Sequence, residues 1–493
     1  MNLGPIESLG YFVPELILGG SVIALILADL FVTRKDLLGL GALAAVALSL
    51  VAVVMTLPDA ANAYLFNRMI VHDPFAVFFK VVFSLATFAS IWMSLDSREV
   101  RTVSQGEYYA LILASALGMY FMATATNLLM AYLALEFVSI TSYVLTGTLR
   151  HNRRASEASL KYLIYGGVAS GTMIYGMSWI FGLTGTMDYA GINAGLAAAE
   201  GGSLALFIAV LLTLAGFGYK VAAVPFHMWA PDVYTGAPIP VTAFLSVGSK
   251  AAGFALLLRF FYPGLSTLGA DGQWAPLGGV QWPQIVLLLS MVSMTVGNLA
   301  ALQQDNIKRL LAYSSIAHAG YMLMGLAVLS DEGLRSILFY VVVYYLMNIG
   351  AFAIVMLVAN ATGREDFEGF RGLAWRGGAI PAVAMAIFLF SLAGIPPMAG
   401  FIGKFYLFAA VIRAEYYVLA LVGGLNSVVS LYYYARIVRA MFLDQPTGNE
   451  PPVEMDWSMG GLVAALTLAT VVFGLYWIPV INLADRSARF LIE

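Results

Sequence analysis

Long apolar runs dominate this sequence and constrain its fold more than any other feature. Each run has about the 20 residues that a helix needs to cross a bilayer, and polar residues, prolines and glycines separate the runs. The runs occupy residues 12–32, 37–57, 74–95, 108–125, 128–148, 160–183, 204–229, 238–261, 282–302, 307–329, 335–359, 379–412, 415–443 and 459–482. This pattern predicts an all-α polytopic membrane protein with about 14 transmembrane helices.

Composition agrees with a membrane protein and excludes several other classes. Hydrophobic residues make up 61% of the chain and charged residues 11%, whereas a soluble domain has about 25% charged residues. A net charge of -3 gives no basic surface for nucleic acid. The chain has no cysteine, no phosphate-binding loop and no dinucleotide-binding glycine motif, so we expect it to bind neither a cofactor nor a metal.

The distribution of basic residues predicts the orientation. Lys and Arg in short loops stay on the inner side of a membrane. If the N-terminus lies outside, most of the 25 Lys and Arg residues fall in inner loops. An even number of helices returns the chain to the side on which it began. We therefore expect both termini to lie outside.

After the basic residues at and beyond the ends of the runs are assigned to loops, five remain inside the runs: Lys80, Lys220, Lys250, Arg259 and Lys404. A charge at the bilayer centre costs about 2.5 to 3.5 kcal/mol, so such residues normally face the bundle interior and mark a path for ions. Lys250 lies near the centre of its run. Lys80 and Arg259 lie nearer to helix ends, where an anchoring or snorkelling charge is the simpler interpretation.

Two further ionisable side chains lie near the middle of predicted helices. Glu136 is the one central carboxylate of the runs, and as an alternative it is a neutral core carboxyl bonded to Ser139 or Thr141. His318 lies about 15 Å along its helix from the inner end. Its alternative is a neutral histidine bonded to a neighbouring helix. Both positions are candidates for a proton path.

Prolines interrupt two of the runs beside buried lysines. Lys220 precedes Pro225 in GYKVAAVPFHMWAPDVYTGAPIP. Lys404 follows Pro396 and Pro397 in LAGIPPMAGFIGKFYLF. Non-helical backbone inside a membrane is tolerated only where protein or water surrounds it. Two broken helices in corresponding places point to an inverted-repeat transporter with its pathway at the breaks, and two unrelated proline kinks are the alternative.

The interrupted runs are five runs apart, and this spacing divides the chain into four parts. Three helices at residues 1–107 precede a first five-helix repeat at 108–261. A second repeat at 282–443 precedes a last helix at 459–493. Because each repeat has an odd number of helices, the second copy would be inverted in the membrane.

The buried ionisable groups predict a proton relay. Its members are Glu136, Lys220, Lys250 and Lys404, with His318 on the same line. Burial destabilises an ammonium group and a nearby carboxylate stabilises it. Movement of Glu136 relative to Lys220 would therefore make the lysine hold or release its proton.

The remaining histidines are weaker candidates. His227 lies in the first broken segment with Asp232, where the two either join the path or line a wet inner vestibule. His72 and His151 lie in predicted loops, and we expect both to be solvated.

The broken segments carry motifs that resemble a known family. GYKVAAVPFHMWAPDVYTGAP and SVGSKAAGF, within residues 218–254, resemble the antiporter-like subunits of proton-translocating NADH:quinone oxidoreductase, respiratory complex I. LLAYSSIAHAGYMLMG at 310–325 and FSLAGIPPMAGFIGKFY at 390–406 are similar to its N-type branch. The resemblance implies 14 helices with two inverted five-helix repeats, each with a broken helix, and a proton channel without a redox group.

The same resemblance implies roles and partners. Glu136 would be the family's glutamate of the fifth helix, Lys220 the lysine of the broken seventh helix and Lys250 that of the eighth. Lys404 would be the charged residue of the broken twelfth helix, and Lys161, in SLKYLIYGG, matches a further family lysine. The chain would be a translocase subunit in the bacterial inner membrane. Flavin, iron–sulfur clusters and quinone would belong to other membrane and peripheral subunits of complex I.

Other functions share parts of this pattern. A subunit of a multisubunit sodium/proton antiporter has the same lysine pattern, and a membrane hydrogenase subunit has the same fold. A solute transporter is the third alternative, but the sequence has no extra polar cluster at the predicted midplane to hold a substrate.

Overall fold

The computed structural model describes residues 2–57, 62–198, 204–269, 272–446 and 451–492. The domain limits expected at residues 1 and 493 lie outside these ranges. Helices make up most of the described chain, and two short hairpins supply its strands. The architecture is the all-α polytopic membrane fold that the apolar runs predict.

The helices of the described chain follow one another with short connections. In chain order they are α1 (Pro5–Tyr11), α2 (Val13–Phe31), α3 (Asp36–Met55), α4 (Pro74–Asp96), α5 (Gln105–Thr124), α6 (Leu128–Thr146), α7 (Arg153–Thr184), α8 (Tyr189–Ala198), α9 (Leu204–Val221), α10 (Trp229–Gly236), α11 (Ile239–Phe244), α12 (Lys250–Leu265), α13 (Trp282–Ala301), α14 (Ile307–Ala327), α15 (Asp331–Thr362), α16 (Phe367–Phe370), α17 (Ala379–Ala393), α18 (Ala399–Arg413), α19 (Tyr417–Phe442), α20 (Trp457–Leu475) and α21 (Ile478–Ile492).

Irregular helical turns and two antiparallel hairpins complete the secondary structure. A π-helical turn, Leu245–Ser249, joins α11 to α12, and short 3-10 turns lie at Val100–Thr102 and Leu373–Trp375. The first hairpin pairs β1 (Ala63–Leu65) with β2 (Ile70–His72), and the second pairs β3 (Ser266–Leu268) with β4 (Trp274–Pro276).

Among the described residues, 11 helical stretches are long and apolar enough to cross a membrane, or 12 if a bent pair is one span. One of the 11 is Ile239–Leu265, which includes the π-helical turn. The bent pair is Phe367–Trp375 with Ala379–Ala393, at 118°. α17 and α18 have 15 residues each, too few to cross separately at about 1.5 Å per residue. The figure of 14 spans therefore stays a prediction.

The centre of the bundle is formed by α12, α14 and α15, which are buried along almost their whole length. In contrast, α2, α3, α19 and α20 leave much apolar surface exposed, as helices that face lipid do. Lys250 and His318 lie on the central helices. Both side chains are therefore surrounded by protein and kept away from lipid.

One local structure occurs twice, at the start of α6 and at the start of α14. Asn127 caps α6 and Asn306 caps α14, each by accepting a hydrogen bond from the amide three residues further on. Each asparagine also forms an antiparallel bridge with an aspartate that follows a long helix. Asn127 pairs with Asp188, and Asn306 pairs with Asp366.

The long helices before these aspartates also match each other. α7 and α15 both have 32 residues, and both end at a glycine in the left-handed conformation, Gly185 and Gly363, each with φ of 71°. In both places the sequence is Thr-Gly-x-x-Asp, at residues 184–188 and 362–366. A glycine suits this turn because it adopts a positive φ without steric cost.

Of the two interpretations of Lys80, an anchoring or a snorkelling charge, the structure supports the anchor and contradicts snorkelling. Its side chain is 2% exposed, and its ammonium lies 2.5 Å from the carboxylate of Glu15 on α2. The ammonium also lies 5.6 Å from the ring centroid of Tyr120 on α5. Because a partner carboxylate is within reach, the lysine has no need to extend to water. The pair fastens α4 to α2.

Arg259 is an anchor, as its position near a helix end suggests. Its guanidinium donates two hydrogen bonds of 2.8 Å to Asp73, and its Nε donates to the Ala123 carbonyl at 2.6 Å. Asp73 also caps α4 by accepting from the Ala76 amide. These bonds join the second half of α12 to the start of α4 and to the last turn of α5.

The expectation that His72 is solvated is also wrong. The hairpin strand β2 carries it inward, its side chain is 1% exposed, and its Nε2 lies 2.5 Å from the Thr56 carbonyl oxygen. His151, in the connection between α6 and α7, is exposed as expected.

Candidate functional site

Lys250 is the first residue of α12 and lies directly after the π-helical turn. Its buried ammonium donates a hydrogen bond of 2.7 Å to the Ser315 hydroxyl on α14. It also lies 5.8 Å from the ring centroid of Tyr234 on α10. π-helical turns within α-helices are frequent at functional sites. Here the turn places a charged side chain at the contact between α12 and two other helices.

Lys220 lies in the last turn of α9, just before the first break. Its buried ammonium donates to the Ser139 hydroxyl on α6 at 3.3 Å. Glu136, one turn earlier on α6, interacts electrostatically with this ammonium. Among the described residues no ion pair joins the two groups directly, and the Oε1 atom of Glu136 is buried without a hydrogen-bond partner. The carboxylate and the ammonium are thus near each other but not bonded.

The bonds expected for a neutral core carboxyl at Glu136 are not seen. Ser139 donates to the Leu135 carbonyl at 2.8 Å, and Thr141 donates to the Phe137 carbonyl at 2.9 Å. These hydroxyls satisfy the backbone of their own helix. Glu136 is therefore a half-buried residue beside a lysine, and its Oε1 atom is buried without a hydrogen-bond partner among the described residues.

The first break separates α9 from α10. After Val221 the chain turns at Ala222, which has φ of 58°, and the Ala223 amide donates back to the Gly218 carbonyl at 2.8 Å. The Val224 amide donates to the Ser293 hydroxyl on α13. Non-helical backbone at this depth needs such partners in the protein.

The second break separates α17 from α18 and has similar backbone geometry. Gly394 ends α17 with φ of 89°, and the Ile395 amide donates back to the Phe390 carbonyl at 3.0 Å. The Lys404 ammonium, one turn into α18, donates to the Ala393 carbonyl at 2.9 Å and to the Ser427 hydroxyl at 3.4 Å. The end of one half-helix thus binds a cation carried by the other half.

His318 lies on α14 one turn after Ser315 and is buried. Its Nδ1 is 2.7 Å from the Tyr340 hydroxyl on α15, and its Nε2 is 3.2 Å from the Tyr434 hydroxyl on α19. Both ring nitrogens therefore have partners that can donate and accept. A bonded neutral histidine, the alternative reading of this position, is compatible with the same contacts.

The space between His318 and Lys404 is occupied by Tyr321, one turn further along α14. The Lys404 ammonium lies 4.6 Å from the Tyr321 ring centroid, and the Ser427 hydroxyl donates to the Tyr321 hydroxyl at 3.1 Å. One face of α14 thus carries Ser315, His318 and Tyr321 between the two lysines. Hydrogen-bonding groups span the interval from Lys250 to Lys404.

Lys161 and His227 lie apart from this line. Lys161, on α7, is 40% exposed and forms ion pairs with Glu157 at 2.8 Å and with Asp232 at 2.7 Å. Asp232, on α10, also binds Arg309 at 2.5 Å. His227 is half-buried in the first break, and its Nδ1 has no hydrogen-bond partner among the described residues.

Sequence reasoning missed several groups of the site. Lys308, expected in an inner loop, is buried and bonded to Glu365 at 2.8 Å and to the Ala237 carbonyl at 2.9 Å. The hydroxyl groups around His318 were not singled out either. For those on α14 a signal exists, because residues 315, 318 and 321 recur at helical spacing and so share one face. The partners on other helices leave no such signal.

A bundle of apolar helices with two breaks, and with buried lysines, hydroxyls and a histidine in its interior, defines a polytopic membrane protein with charged and polar groups at its centre. Residues 125–430 match the family described as NADH:quinone oxidoreductase/Mrp antiporter, TM. A relative from Anaeromyxobacter sp. (strain Fw109-5), described as NADH-quinone oxidoreductase subunit N, is 47% identical over 97% of this chain and 96% of its own length. The chain belongs to the family of NADH-quinone oxidoreductase subunit N.

Solved structures have the same fold. A chain of respiratory complex I from Thermus thermophilus with bound aureothin is 32% identical and has a TM-score of 0.79, covering 96% of this chain and 99% of that chain. A chain of the Mrp complex from Dietzia sp. DQ12-45-1b has a TM-score of 0.80 over 99% of this chain and 97% of that chain, at 22% identity. At 22% identity, the similarity to the Mrp complex chain concerns the fold alone.

Proposed function

We propose that this chain is a proton-translocating membrane subunit of NADH:quinone oxidoreductase. Protons cross through the buried line of Glu136, Lys220, Lys250, His318 and Lys404, and redox chemistry in other subunits drives them. The observation that carries this proposal is the bond from the Lys250 ammonium to Ser315, on the α14 face that leads to Lys404. Charged groups held inside a membrane bundle mark ion paths.

The hydroxyl groups between the lysines suit proton transfer. A serine or tyrosine hydroxyl donates and accepts at once, so it passes a proton by exchanging one bond for another. Ser315 accepts from Lys250, and Tyr321 accepts from Ser427 next to Lys404. Water would complete the remaining intervals, as it does between polar groups too far apart for a direct bond.

Glu136 controls whether Lys220 holds or releases its proton, and in this sense it is the gate of the relay. Its unpaired oxygen near Lys220 leaves two arrangements open, a direct ion pair and the separated state of this structure. A direct pair stabilises the ammonium, and separation favours proton release. Lys220 passes its proton on to Lys250 in the separated state.

The architecture that we infer has 14 spans. Adding α5, α7 and the broken pair α17–α18 to the 11 apolar stretches gives that number. The doubled Asn cap, the doubled Thr-Gly-x-x-Asp turn and the doubled break support two five-helix repeats, at residues 108–261 and 282–443. With five helices each, the repeats are inverted relative to each other.

The chain works in the bacterial inner membrane with both termini outside. Membrane and peripheral subunits of complex I are its partners, and they hold the flavin, the iron–sulfur clusters and the quinone. Lys161 and His227 are weaker members of the path because, in the part of the chain that the structure describes, no hydrogen bond or ion pair joins either side chain to the buried line. The sodium/proton antiporter alternative has less support, because that likeness is 22% identical whereas the subunit N relative is 47% identical.

The test is Lys250→Ala in the assembled complex. We expect proton pumping and quinone-linked NADH oxidation to fall together, while the amount of assembled complex stays the same. Lys35→Ala is the control, because Lys35 is a half-exposed lysine paired with Asp29 outside the buried line. Normal pumping in the assembled Lys250→Ala complex would show that Lys250 is structural.

A further inference from the structure

Asp232 joins three helices through two ion pairs. Its Oδ2 accepts from the Lys161 ammonium on α7 at 2.7 Å, and its Oδ1 accepts from the Arg309 guanidinium on α14 at 2.5 Å. The carboxylate borders a cavity of about 170 Å³, which Glu157 and Arg154 also line. Both oxygens are engaged by cations, and nearby cations favour the ionised form of a carboxylate over the protonated one. Asp232 is therefore suited to hold α10 in place and is a poor proton carrier.

The helix that Asp232 holds, α10, lies close to both Lys220 and Lys250. At the start of α10, the Trp229 indole donates to the Tyr219 carbonyl at 3.0 Å, and Tyr219 is the residue before Lys220. Near the other end of α10, the Tyr234 ring faces the Lys250 ammonium. The eight residues of α10 thus connect the Lys220 end of the relay to the Lys250 end.

The first turn of α14 holds α10 at two points. Arg309 binds Asp232, and the preceding residue, Lys308, donates to the carbonyl of Ala237 directly after α10. Lys308 also pairs with Glu365, which follows α15. A movement of α14 relative to the first half of the chain would therefore be transmitted to α10 through charged groups.

The two breaks place Asp232 and Lys404 at matching positions. Asp232 lies seven residues after Pro225, and Lys404 lies seven residues after Pro397. In both breaks the residue three before that proline, Ala222 or Gly394, has a positive φ. Each broken helix therefore has a charged side chain at this position, Asp232 in the first and Lys404 in the second.

We propose that Asp232 is a positioning residue for the proton step between Lys220 and Lys250, because its two ion pairs fix α10 between α7 and α14. This inference rests on the proposed function. Asp232 itself carries no proton in this step. When α14 moves, the ion pairs carry the movement to Trp229 and Tyr234, and through them to the two lysines.

The test is Asp232→Asn in the intact complex, with turnover expressed per assembled complex. The amide keeps the shape but loses the charge that holds both cations. We expect quinone-linked NADH oxidation and proton pumping to fall about tenfold. This lies within the range of effects of mutations at residues that couple two sites of a protein. NADH oxidation by an artificial acceptor, which bypasses the membrane subunits, should not change. The matched control is Asp305→Asn, which removes the exposed ion pair with Arg436.

A solvent isotope measurement separates positioning from a structural role. If Asp232 aligns a proton step, that step becomes rate-limiting in Asp232→Asn, and the ratio of rates in H2O and D2O rises. A loss of turnover without a rise in this ratio would overturn the inference, and so would unchanged turnover. Lys250→Ala, measured in parallel, separates the two proposals. Full pumping there refutes the proposed function, whereas a pumping defect there together with a normal Asp232→Asn complex refutes only the role of Asp232.

Discussion

The Lys404 ammonium donates to the Ala393 carbonyl at 2.9 Å, so a charge on the second half of a broken helix caps the end of the first half. The C-terminal carbonyls of a helix lack partners within the helix and carry a partial negative charge. The break thus provides Lys404 with a backbone partner inside the membrane. The same contact makes the position sensitive to the shape of the group as well as to its charge.

Replacing Lys404 with arginine separates charge from proton exchange. Arginine retains the cation and can still bind the Ala393 carbonyl, but it holds its proton at any working pH. We expect proton pumping by Lys404→Arg to fall about tenfold, nearly as far as in Lys404→Ala. The measurement is proton release by reconstituted vesicles at matched assembly. Full activity of the arginine variant would remove Lys404 from the relay and leave it an anchor.

Gly394→Ala tests whether the second break must keep its shape. A Cβ at this residue would lie 2.8 Å from the Lys404 Cδ, at φ of 89°. We expect the ammonium to be displaced and pumping per assembled complex to fall, with a conformational cost of about 1–2 kcal/mol. Gly363→Ala is the matched control, because that glycine has φ of 71° and an added Cβ there would meet no heavy atom within 4 Å among the described residues beyond its own chain neighbours. Equal pumping by the two variants would contradict the prediction.

Glu136 offers a test of the gate. Glu136→Gln keeps the shape of the side chain but removes the charge that stabilises the Lys220 ammonium. We expect coupled activity to fall about tenfold in Glu136→Gln, whereas Glu136→Asp should retain a substantial part. Quinone-linked NADH oxidation in membrane vesicles measures both variants. Activity of Glu136→Gln equal to that of the unsubstituted protein would show that Glu136 is only a buried polar residue.

The buried lysines and the two breaks could be predicted because they are local features. A charge within an apolar run, or a pair of prolines, is visible without knowing which helices are neighbours. The partner of Lys80 was not predictable, because Glu15 lies 65 residues earlier and is brought near only by packing. His72 was placed in a loop by its sequence, yet hairpin pairing carries it inward. Helical spacing is enough to predict that Ser315 shares one face of α14 with His318 and Tyr321. That Lys250 lies opposite this face depends on helix packing and could not be predicted.

The Glu15–Lys80 pair should contribute to stability rather than to pumping. Lys80→Met leaves the Glu15 carboxylate buried without its partner, which typically costs about 3–5 kcal/mol. We expect less assembled complex and a lower thermal midpoint. The double variant Glu15→Gln/Lys80→Met removes both charges and should recover much of the assembly, with normal pumping per complex. A double variant that assembles but fails to pump would place this pair on the proton path.

Ser315 offers a direct test of the groups that lie between Lys250 and Lys404. Its hydroxyl accepts from Lys250 at 2.7 Å, so Ser315→Ala removes the first group to which that lysine can pass a proton. Loss of a hydrogen bond to a charged group costs about 1.5–3 kcal/mol, and we expect pumping to fall by about tenfold or more. Ser290→Ala is the matched control, because this serine is equally buried but donates to the Gly320 carbonyl and, among the described residues, forms no hydrogen bond with a lysine. Both variants are compared by proton release at matched assembly. If Ser315→Ala pumps as well as Ser290→Ala, protons leave Lys250 by another group, and the α14 face is not the path to Lys404.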